Sequence, residues 1–472
     1  MGVKAFRTEC QDFAQESLTR TNFKTVINGI EIKRHIQKSN QKFVMLKEYF
    51  DIVSGFAFKS EDYETEGVPL IRIGDVGNDF VKEKMSFLPE EYAVDYSKFL
   101  LKTNDIVVSL TGDGKLKSDL IIDHNHYLLN QRVGSLRAKS DINTLFYFYL
   151  INYYSFVKKQ FYWLSNGKTQ LNISPFDFLK IKIPKIPKEI QDQIVTKIEP
   201  IEQKIKELKN QIQPEQTIIN KVFARRFGFD FVKFEELKKH TIFDLDFTSF
   251  ANNIDVRQSV KFHRNAGKFV LQQLKSKTNK KIKDFLSEPI VLGKGISPSE
   301  YDENGDVFYI AMSNIKNWQF EAEEAKTVSP VFANTNLNKM VALNDILLAR
   351  SGEGTIGKVA LIEDENVEGI FADFTMRIRL KDYNYLFAYF YFRTTYFQYL
   401  VEIHKKGLGN NTNIFPSQIQ EFPLFDISLI EQQQIVDEIE SELNEQEKVK
   451  QAIAEERNKI DELIENSIDS KP

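Results

Sequence analysis

The sequence of 472 residues contains a single cysteine, Cys10, two tryptophans and six histidines. One thiol excludes a disulfide scaffold and a zinc site built from several cysteines, and it fits a reducing compartment. No apolar run approaches the roughly 20 residues of a membrane-spanning helix. Residues 1–20 carry Arg7, Glu9, Asp12, Glu16 and Arg20, unlike a secretory signal. These absences predict a cytoplasmic protein with no membrane partner. Neither charge sign dominates, and a formal net charge of −4 argues against a protein that coats nucleic acid by bulk charge. What is present is 42% hydrophobic and 28% charged residues, enough apolar surface for packed cores. At roughly 150 residues per domain the length corresponds to about three domains.

The charge is unevenly spread. By segment it is +4 over 1–42, zero over 43–185, +4 over 186–276, −3 over 277–425 and −9 over 426–472. The acidic end reads as the solvated face of a helix, and it masks a mildly basic remainder.

The chain also repeats itself at a period near 240 residues. Val68–Val76 answers to Val307–Ile315, Asn104–Val108 to Asn344–Leu348, and Leu145–Tyr149 to Leu386–Phe390. Gln170–Pro175 answers to Asn411–Pro416, and Gln193–Glu199 to Gln434–Glu440. Five blocks in one order mark a tandem duplication. In each copy, short β-branched and aromatic runs between Gly, Asn and Asp clusters predict a strand-rich domain, with an aromatic helical stretch near Phe146–Lys159 and Tyr385–Ile403. Tyr147–Tyr154 and Phe387–Tyr399 fit a core better than base-stacking platforms.

Each copy then ends in a proline-announced helix. Ile190, Ile194, Ile198, Ile201, Ile205, Leu208 and Ile212 recur at steps of three and four, as do Ile435, Ile439, Leu443, Ile453 and Ile460. Single apolar stripes at this spacing predict a coiled-coil-like seam, interrupted and kinked at Pro200. The expected class is α+β: a tandem duplication of a strand-rich domain followed by a long helix, the two helices packing as an antiparallel coiled-coil-like spine. The expected divisions are a lead-in over 1–42, a first domain over 43–185, a first spacer helix over 186–225, a linker over 226–276, a second domain over 277–425 and a second spacer helix over 426–472.

Two motifs resemble catalytic signatures. Gly352, Gly354 and Gly357 satisfy G-x-G-x-x-G, and Lys358 completes a near-P-loop. Both motifs require a helix next, to hold phosphate at its N-terminus; Lys358–Ile362 reads as a strand, so a glycine hairpin is expected. Asn172-Ile-Ser-Pro-Phe176 comes close to the Asn/Asp-Pro-Pro-Tyr/Phe motif of amino-methyltransferases, without a glycine-rich cofactor loop. Asp123-His-Asn-His126 has no third ligand in view and reads as an exposed loop. The chain is expected to have no catalytic residues, no metal and no cofactor. The competing readings are a nucleotide- or S-adenosylmethionine-dependent enzyme and a coiled-coil scaffold.

Two strand-rich domains, each closed by a helix opening on Pro and Gln-Ile-Val-x-x-Ile-Glu, resemble the specificity subunit of type I restriction-modification systems. The residues that carry this are Ser54–Lys59, Pro69–Asp75, Asn104–Val108 and Lys185–Val195, then Asn344–Gly352, Thr355–Lys358 and Glu431–Val436. The resemblance implies two target-recognition domains, each reading one half of a bipartite site in double-stranded DNA. It implies helices that set the spacing and dock two adenine-specific methyltransferase subunits, with motor/endonuclease subunits as further partners and no chemistry in this chain. Residues 1–42 and 226–276 depart from the compact family pattern, which keeps open a fused restriction-methyltransferase system.

Guanine is read by Arg and Lys, adenine by Asn and Gln, and either by Ser or Thr; phosphates are held by Arg, Lys and small hydroxyls. Equivalent loops supply these types. In the first copy they are Lys59, Arg72, Thr111, Lys115, Lys117, Asn166, Lys168, Thr169 and Gln170. In the second they are Lys294, Ser313, Asn314, Arg350, Ser351, Thr355, Lys358, Lys405, Lys406, Asn410, Asn411 and Thr412. These are the expected DNA contacts, and the isoleucines and leucines of the two seams are the expected spacer and docking residues.

Overall fold

The repeated Asn-Asp-Ile triplet shows how each copy is built. In the computed structural model Asn104 and Asn344 both have φ of 70°, a left-handed conformation that asparagine tolerates better than most side chains. The following Asp105 and Asp345 turn inward, 2% and 1% exposed. Each accepts the backbone N–H three residues earlier, from Lys102 and Ala342, and each pairs with an arginine, Arg137 and Arg379, at 2.6 Å. The isoleucine then opens a fully buried strand. The structure describes residues 30–39, 41–77, 85–112, 116–123, 126–166, 171–248, 259–352, 354–407 and 411–469. They divide into two units, Met1–Asn210 with Val449–Pro472, and Gln211–Lys448.

The first unit contains strands β1 (Phe43–Met45), β2 (Phe50–Ser54), β3 (Val68–Ile71), β4 (Ser86–Leu88), β5 (Ile106–Ser109), β6 (Thr111–Gly112), β7 (Ser118–Leu120), β8 (Leu128–Leu129) and β9 (Val133–Ala138). An antiparallel sheet runs β2-β9-β5-β7, and a second sheet runs β4-β3-β8 with β3 and β8 parallel. Helices α1 (Thr144–Tyr153) and α2 (Ser155–Leu164) follow, then β10 (Leu171–Asn172), β11 (Lys182–Pro184) and helix α3 (Lys188–Lys209). One core cluster joins the large sheet, α1, α2, α3 and Ile453, Ile460, Ile464 and Ile468 of the C-terminal helix.

The second unit begins with α4 (Glu215–Phe227), α5 (Phe231–Lys239) and α6 (Asn265–Lys275). Its strands are β12 (Val291–Leu292), β13 (Val307–Ile310), β14 (Ile315–Lys316), β15 (Gln319–Phe320), β16 (Lys326–Val328), β17 (Ile346–Ala349), β18 (Val359–Leu361), β19 (Gly369–Phe371) and β20 (Thr375–Ile378). The sheets β12-β20-β17-β18 and β16-β13-β19 repeat the two of the first unit strand for strand. Helices α7 (Tyr385–Arg393) and α8 (Thr395–His404) follow, then α9 (Leu429–Asp469), whose first half belongs to this unit and whose second half belongs to the first.

The aromatic stretches are core, and each is a pair of helices rather than one. Tyr154 and Thr394 leave helical geometry with ψ of 118° and 149°, and Thr394 caps the next helix by accepting the N–H of Phe397. Tyr147, Tyr154, Tyr391 and Tyr396 are fully buried. The first helix of each pair is capped by an asparagine, Asn143 onto Phe146 and Asn384 onto Phe387, at 3.0 Å.

Two residues before the repeated Gln-Ile-Val of each closing helix stands another glutamine with a structural role. Gln191 and Gln432 are each 2% exposed. Their side-chain oxygens accept the backbone N–H of Asn143 and Asn384, at 3.0 and 2.8 Å. Their amides donate to the carbonyls of Ile186 and Ile427 at 2.8 Å. Each closing helix is thereby fastened to the cap of its own aromatic helix.

Two expectations for the helices are corrected. Pro200 does not interrupt α3, which runs unbroken from Lys188 to Lys209. Pro200 and Thr196 lie on the exposed face, so the carbonyl that loses its donor is left to water while Ile194, Ile198 and Ile205 stay packed. The interruption comes later, and the helix expected over 186–225 is two. Pro214 lacks an N–H and disfavours helical geometry at the residue before it, so α3 ends and α4 begins at Glu215. Of the seam residues, Ile194, Ile198, Ile205, Ile435, Ile439, Ile453 and Ile460 are buried. Ile201, Leu208 and Leu443 are half-buried against the same clusters. Ile190 is 39% exposed and does not join the seam. Within the first unit α3 meets the end of α9 through Lys204 and Glu456 at 2.6 Å. Within the second, Gln213 donates to Gln446, and Arg225 and Arg226 pair with Glu438.

Candidate nucleic-acid interface

In each unit the strand that follows Asn-Asp-Ile runs out into a loop, and other segments gather around it through the same backbone bonds. In the first unit Leu110 donates to Arg132 at 3.0 Å and accepts from Ile173 at 2.9 Å. In the second, Arg350 donates to Phe374 and accepts from Ile414, both at 2.9 Å. Beyond this point β6 pairs with β10 through Thr111 and Asn172, and Asn166 exchanges two backbone bonds with Asn172 at 2.7 Å. The second unit has Ser351 bridged to Asn413, and Lys406 exchanging two bonds with Asn413 at 2.7 Å. The turn after the small-sheet strand also reaches this place. Gly77 donates to Asp119, beside Lys117, and Met312 Sδ lies 4.0 Å from the Thr355 hydroxyl. Segments distant in sequence thus form one cluster per unit, twice.

The glycine loop is the connection between β17 and β18, which pair antiparallel. Gly352, Gly354 and Gly357 have φ of 85°, 80° and 86°, where glycine is unstrained. Strand β18 stands where a nucleotide-binding loop would need a helix. Asn172 likewise has a structural partner, accepting the Thr111 hydroxyl at 2.6 Å. Asp123 accepts the Tyr127 hydroxyl at 2.8 Å. Among the described residues no group of three or more His, Cys, Asp and Glu is placed to hold a metal.

The expected contact residues divide by exposure. Lys59, Lys117, Asn166, Lys294, Ser313, Lys406 and Asn411 are exposed. Arg72, Thr111, Thr355, Lys358 and Lys405 are half-buried. Arg72 lies 3.6 Å from Asp75, Lys405 is held by Glu402 at 2.6 Å, and the Thr355 hydroxyl donates to the Ser351 carbonyl at 2.8 Å. Three residues are turned away from solvent. Ser351, Thr412 and Asn314 are 7%, 5% and 5% exposed; Ser351 donates to the Thr412 carbonyl and Asn314 accepts the Ala311 N–H. In this structure the Ser351 and Asn314 side chains serve the loop backbone, and the Thr412 hydroxyl is buried without a hydrogen-bond partner. Lys115, Lys168, Thr169, Gln170 and Asn410 lie outside the described residues.

Arg350 is held on several sides. Its Nε donates to the Asp373 carbonyl at 3.0 Å, and its guanidinium lies 5.8 and 5.6 Å from the rings of Phe374 and Phe415. One terminal nitrogen, Nη1, is buried with no hydrogen-bond partner. Two rings and a fixed Nε cut the rotamer freedom that an arginine otherwise loses on binding.

The sequence reading missed the turn before the strand that returns to the large sheet. It carries Gln131 and Arg132 in one unit and Asp373 and Phe374 in the other, and Gln131 and Arg132 are exposed. The available signal was positional: in both copies three residues separate a short apolar strand from the next one. Phe176 and Phe415 were also missed, exposed by 70% and 38%.

The family described as Type I restriction modification DNA specificity domain matches twice, over residues 38–215 and 272–456. The type I restriction enzyme MjaVIII specificity subunit of Methanocaldococcus jannaschii is 38% identical over 147 residues, 30% of this chain and 34% of that protein. The EcoAI specificity subunit of Escherichia coli is 27% identical over 174 residues, 35% of this chain and 28% of that protein. These matches span about a third of the curated relatives' lengths. A solved type I restriction-modification S subunit from M. genitalium aligns over 92% of this chain and 98% of its own, at 13% identity and a TM-score of 0.37.

Proposed function

Because the chain belongs to the family of type I restriction-modification DNA specificity domains, we propose that it is the sequence-recognition subunit of such a system, each unit reading one half of a bipartite DNA site. The observation that carries this is the duplicated loop cluster: two units present equivalent clusters made of different side chains. Leu110 and Arg132 stand in one where Arg350 and Phe374 stand in the other. Same scaffold with different contact residues is what reading two different half-sites requires, since base identity is read by side-chain type. In this reading the helices α3, α4 and α9 set the half-site spacing and dock adenine-specific methyltransferase subunits, and the chemistry resides in those partners.

The test is to express the chain with an adenine methyltransferase partner and sequence the methylated positions of the host genome. A split motif is expected, and replacing residues 277–425 by the corresponding domain of a relative should change one half only. Change in both halves, or an unsplit motif, would overturn the proposal.

A further inference from the structure

The segment leading into the second unit's sheets is strongly basic. Residues 259–283 contain seven lysines and Arg264, with no aspartate or glutamate. The stretch includes the short helix Val260–His263 and α6, and α6 buries Ala266, Val270 and Leu274 while leaving Lys268 and Lys275 exposed. Part of this charge converges. A groove of about 660 Å³ has Lys275, Lys280, Lys281 and Lys406 on its rim and Phe262 and Phe422 among its lining. Its one acid, Glu421, is already engaged by Lys281 and Lys283 at 2.6 Å. Lys275 and Lys280 are exposed and have no ion-pair partner among the described residues.

Two further observations give the groove a direction. Lys406 belongs both to its rim and to the loop cluster, through its backbone pairing with Asn413, so the basic rim is continuous with the candidate interface. The first unit carries a segment at the equivalent place in the repeat. There the helix over 30–38 packs Ile32 and Ile36 against the core and ends in exposed Lys38, with exposed Lys42 close behind. Lys38 and Lys42 stand where Lys275 and Lys280 stand in the repeat. All four lysines lie at the start of the two stretches that match the family, 38–215 and 272–456.

We infer that the two lead-in segments form backbone clamps, in which Lys38 and Lys42, and Lys275 and Lys280, bind DNA phosphates beside each reading loop without regard to sequence. This rests on the proposed function and adds to it a second, sequence-independent contact surface. Compact ammonium groups with no ion-pair partner among the described residues suit phosphate oxygens, and each phosphate neutralised releases condensed counterions.

The experiment compares the full chain with a Lys38→Gln, Lys42→Gln, Lys275→Gln, Lys280→Gln variant. Binding of a labelled random-sequence duplex is followed by fluorescence anisotropy across a series of potassium chloride concentrations. These side chains are exposed, so the variant should keep the far-ultraviolet circular dichroism of the parent. The slope of log affinity against log salt should fall by about 0.9 per lysine, roughly 3.6 in all. The methylated motif read with the methyltransferase partner should stay unchanged. An unchanged slope overturns the clamp and leaves the recognition reading intact. A parent chain that retains no duplex at the lowest salt also overturns the clamp, whereas the recognition reading falls only if the split methylated motif fails to appear with the partner. Competition by poly-L-glutamate as effective as by duplex would assign the rim to acidic protein and overturn the clamp.

Discussion

At the scale of single residues, the repeated motifs of this chain are instructions for its own backbone. Asn104 and Asn344 supply a left-handed turn, Asp105 and Asp345 close it and fix an arginine, and Gln191 and Gln432 tie a closing helix to an aromatic helix cap. Replacing Gln432 by alanine leaves the Asn384 N–H and the Ile427 carbonyl without their partner. A loss of about 2 kcal/mol is expected, from two buried polar groups at 1–3 kcal/mol each partly relieved by water. Urea unfolding followed by circular dichroism should show it, and Gln191→Ala should behave alike through Asn143 and Ile186. The Asn-Asp pairs were legible as a repeat, but their role was not, and Gln191 and Gln432 lie outside the repeated blocks. A glutamine in a polar helix looks solvated until the chain forty-eight residues away is known to pass beneath it.

At the scale of elements, the helices were read well where periodicity decides and poorly where proline does. The stripe of Ile194, Ile198, Ile205, Ile453 and Ile460 is buried as its spacing demands. Pro200 and Pro214 have the same intrinsic cost, yet only the second ends a helix. The difference is that Pro200 faces water on a helix already held by its opposite face. In the second unit the join of α4 to the first half of α9 is electrostatic as well as apolar. Burial raises the Glu438 pKa, and hydrogen bonds from Arg225 and Arg226 outweigh it, so the carboxyl titrates below its ordinary range. A folded-state pKa below the unfolded one, about 4.3, contributes stability that is fully present above that pH and is lost as pH falls through the folded value. Glu438→Gln should therefore be less stable than the parent at neutral pH, and the gap should close in acid. Urea midpoints at neutral pH and below pH 4 measure this. A gap that is constant with pH would assign the contact to packing alone.

At the scale of the whole molecule, charge distribution shapes the expected behaviour. The net −4 combines an acidic end of −9, carried by the second spacer segment, with a remainder of +5. The two strand-rich domains are close to neutral, so under the proposed function the isolated chain should bind its target duplex weakly at physiological salt. Tight binding should appear only with methyltransferase subunits that add basic surface. A gel shift with and without the partner measures this, and tight site-specific binding by the chain alone would contradict it. The lead-in clamps fit the same picture, since they are strong at low salt and largely screened at physiological salt.

The sequence by itself determined the duplication, the strand-rich character of each copy, the burial of the aromatic stretches and the stripe of the closing helices. Each of these is written in local order, as a repeat or a period of two or 3.6 residues, and survives without knowledge of distant partners. Only the tertiary structure decided which loops meet. It turned Ser351, Thr412 and Asn314 inward and brought Arg132 and Phe374 to the same place as the chosen loops. It also set Arg350 between two rings. A polar side chain in a loop has no period to betray its direction. Whether it faces water or a backbone carbonyl depends on a segment that folds beside it from far along the chain, and that was settled only when the sheets brought those segments together.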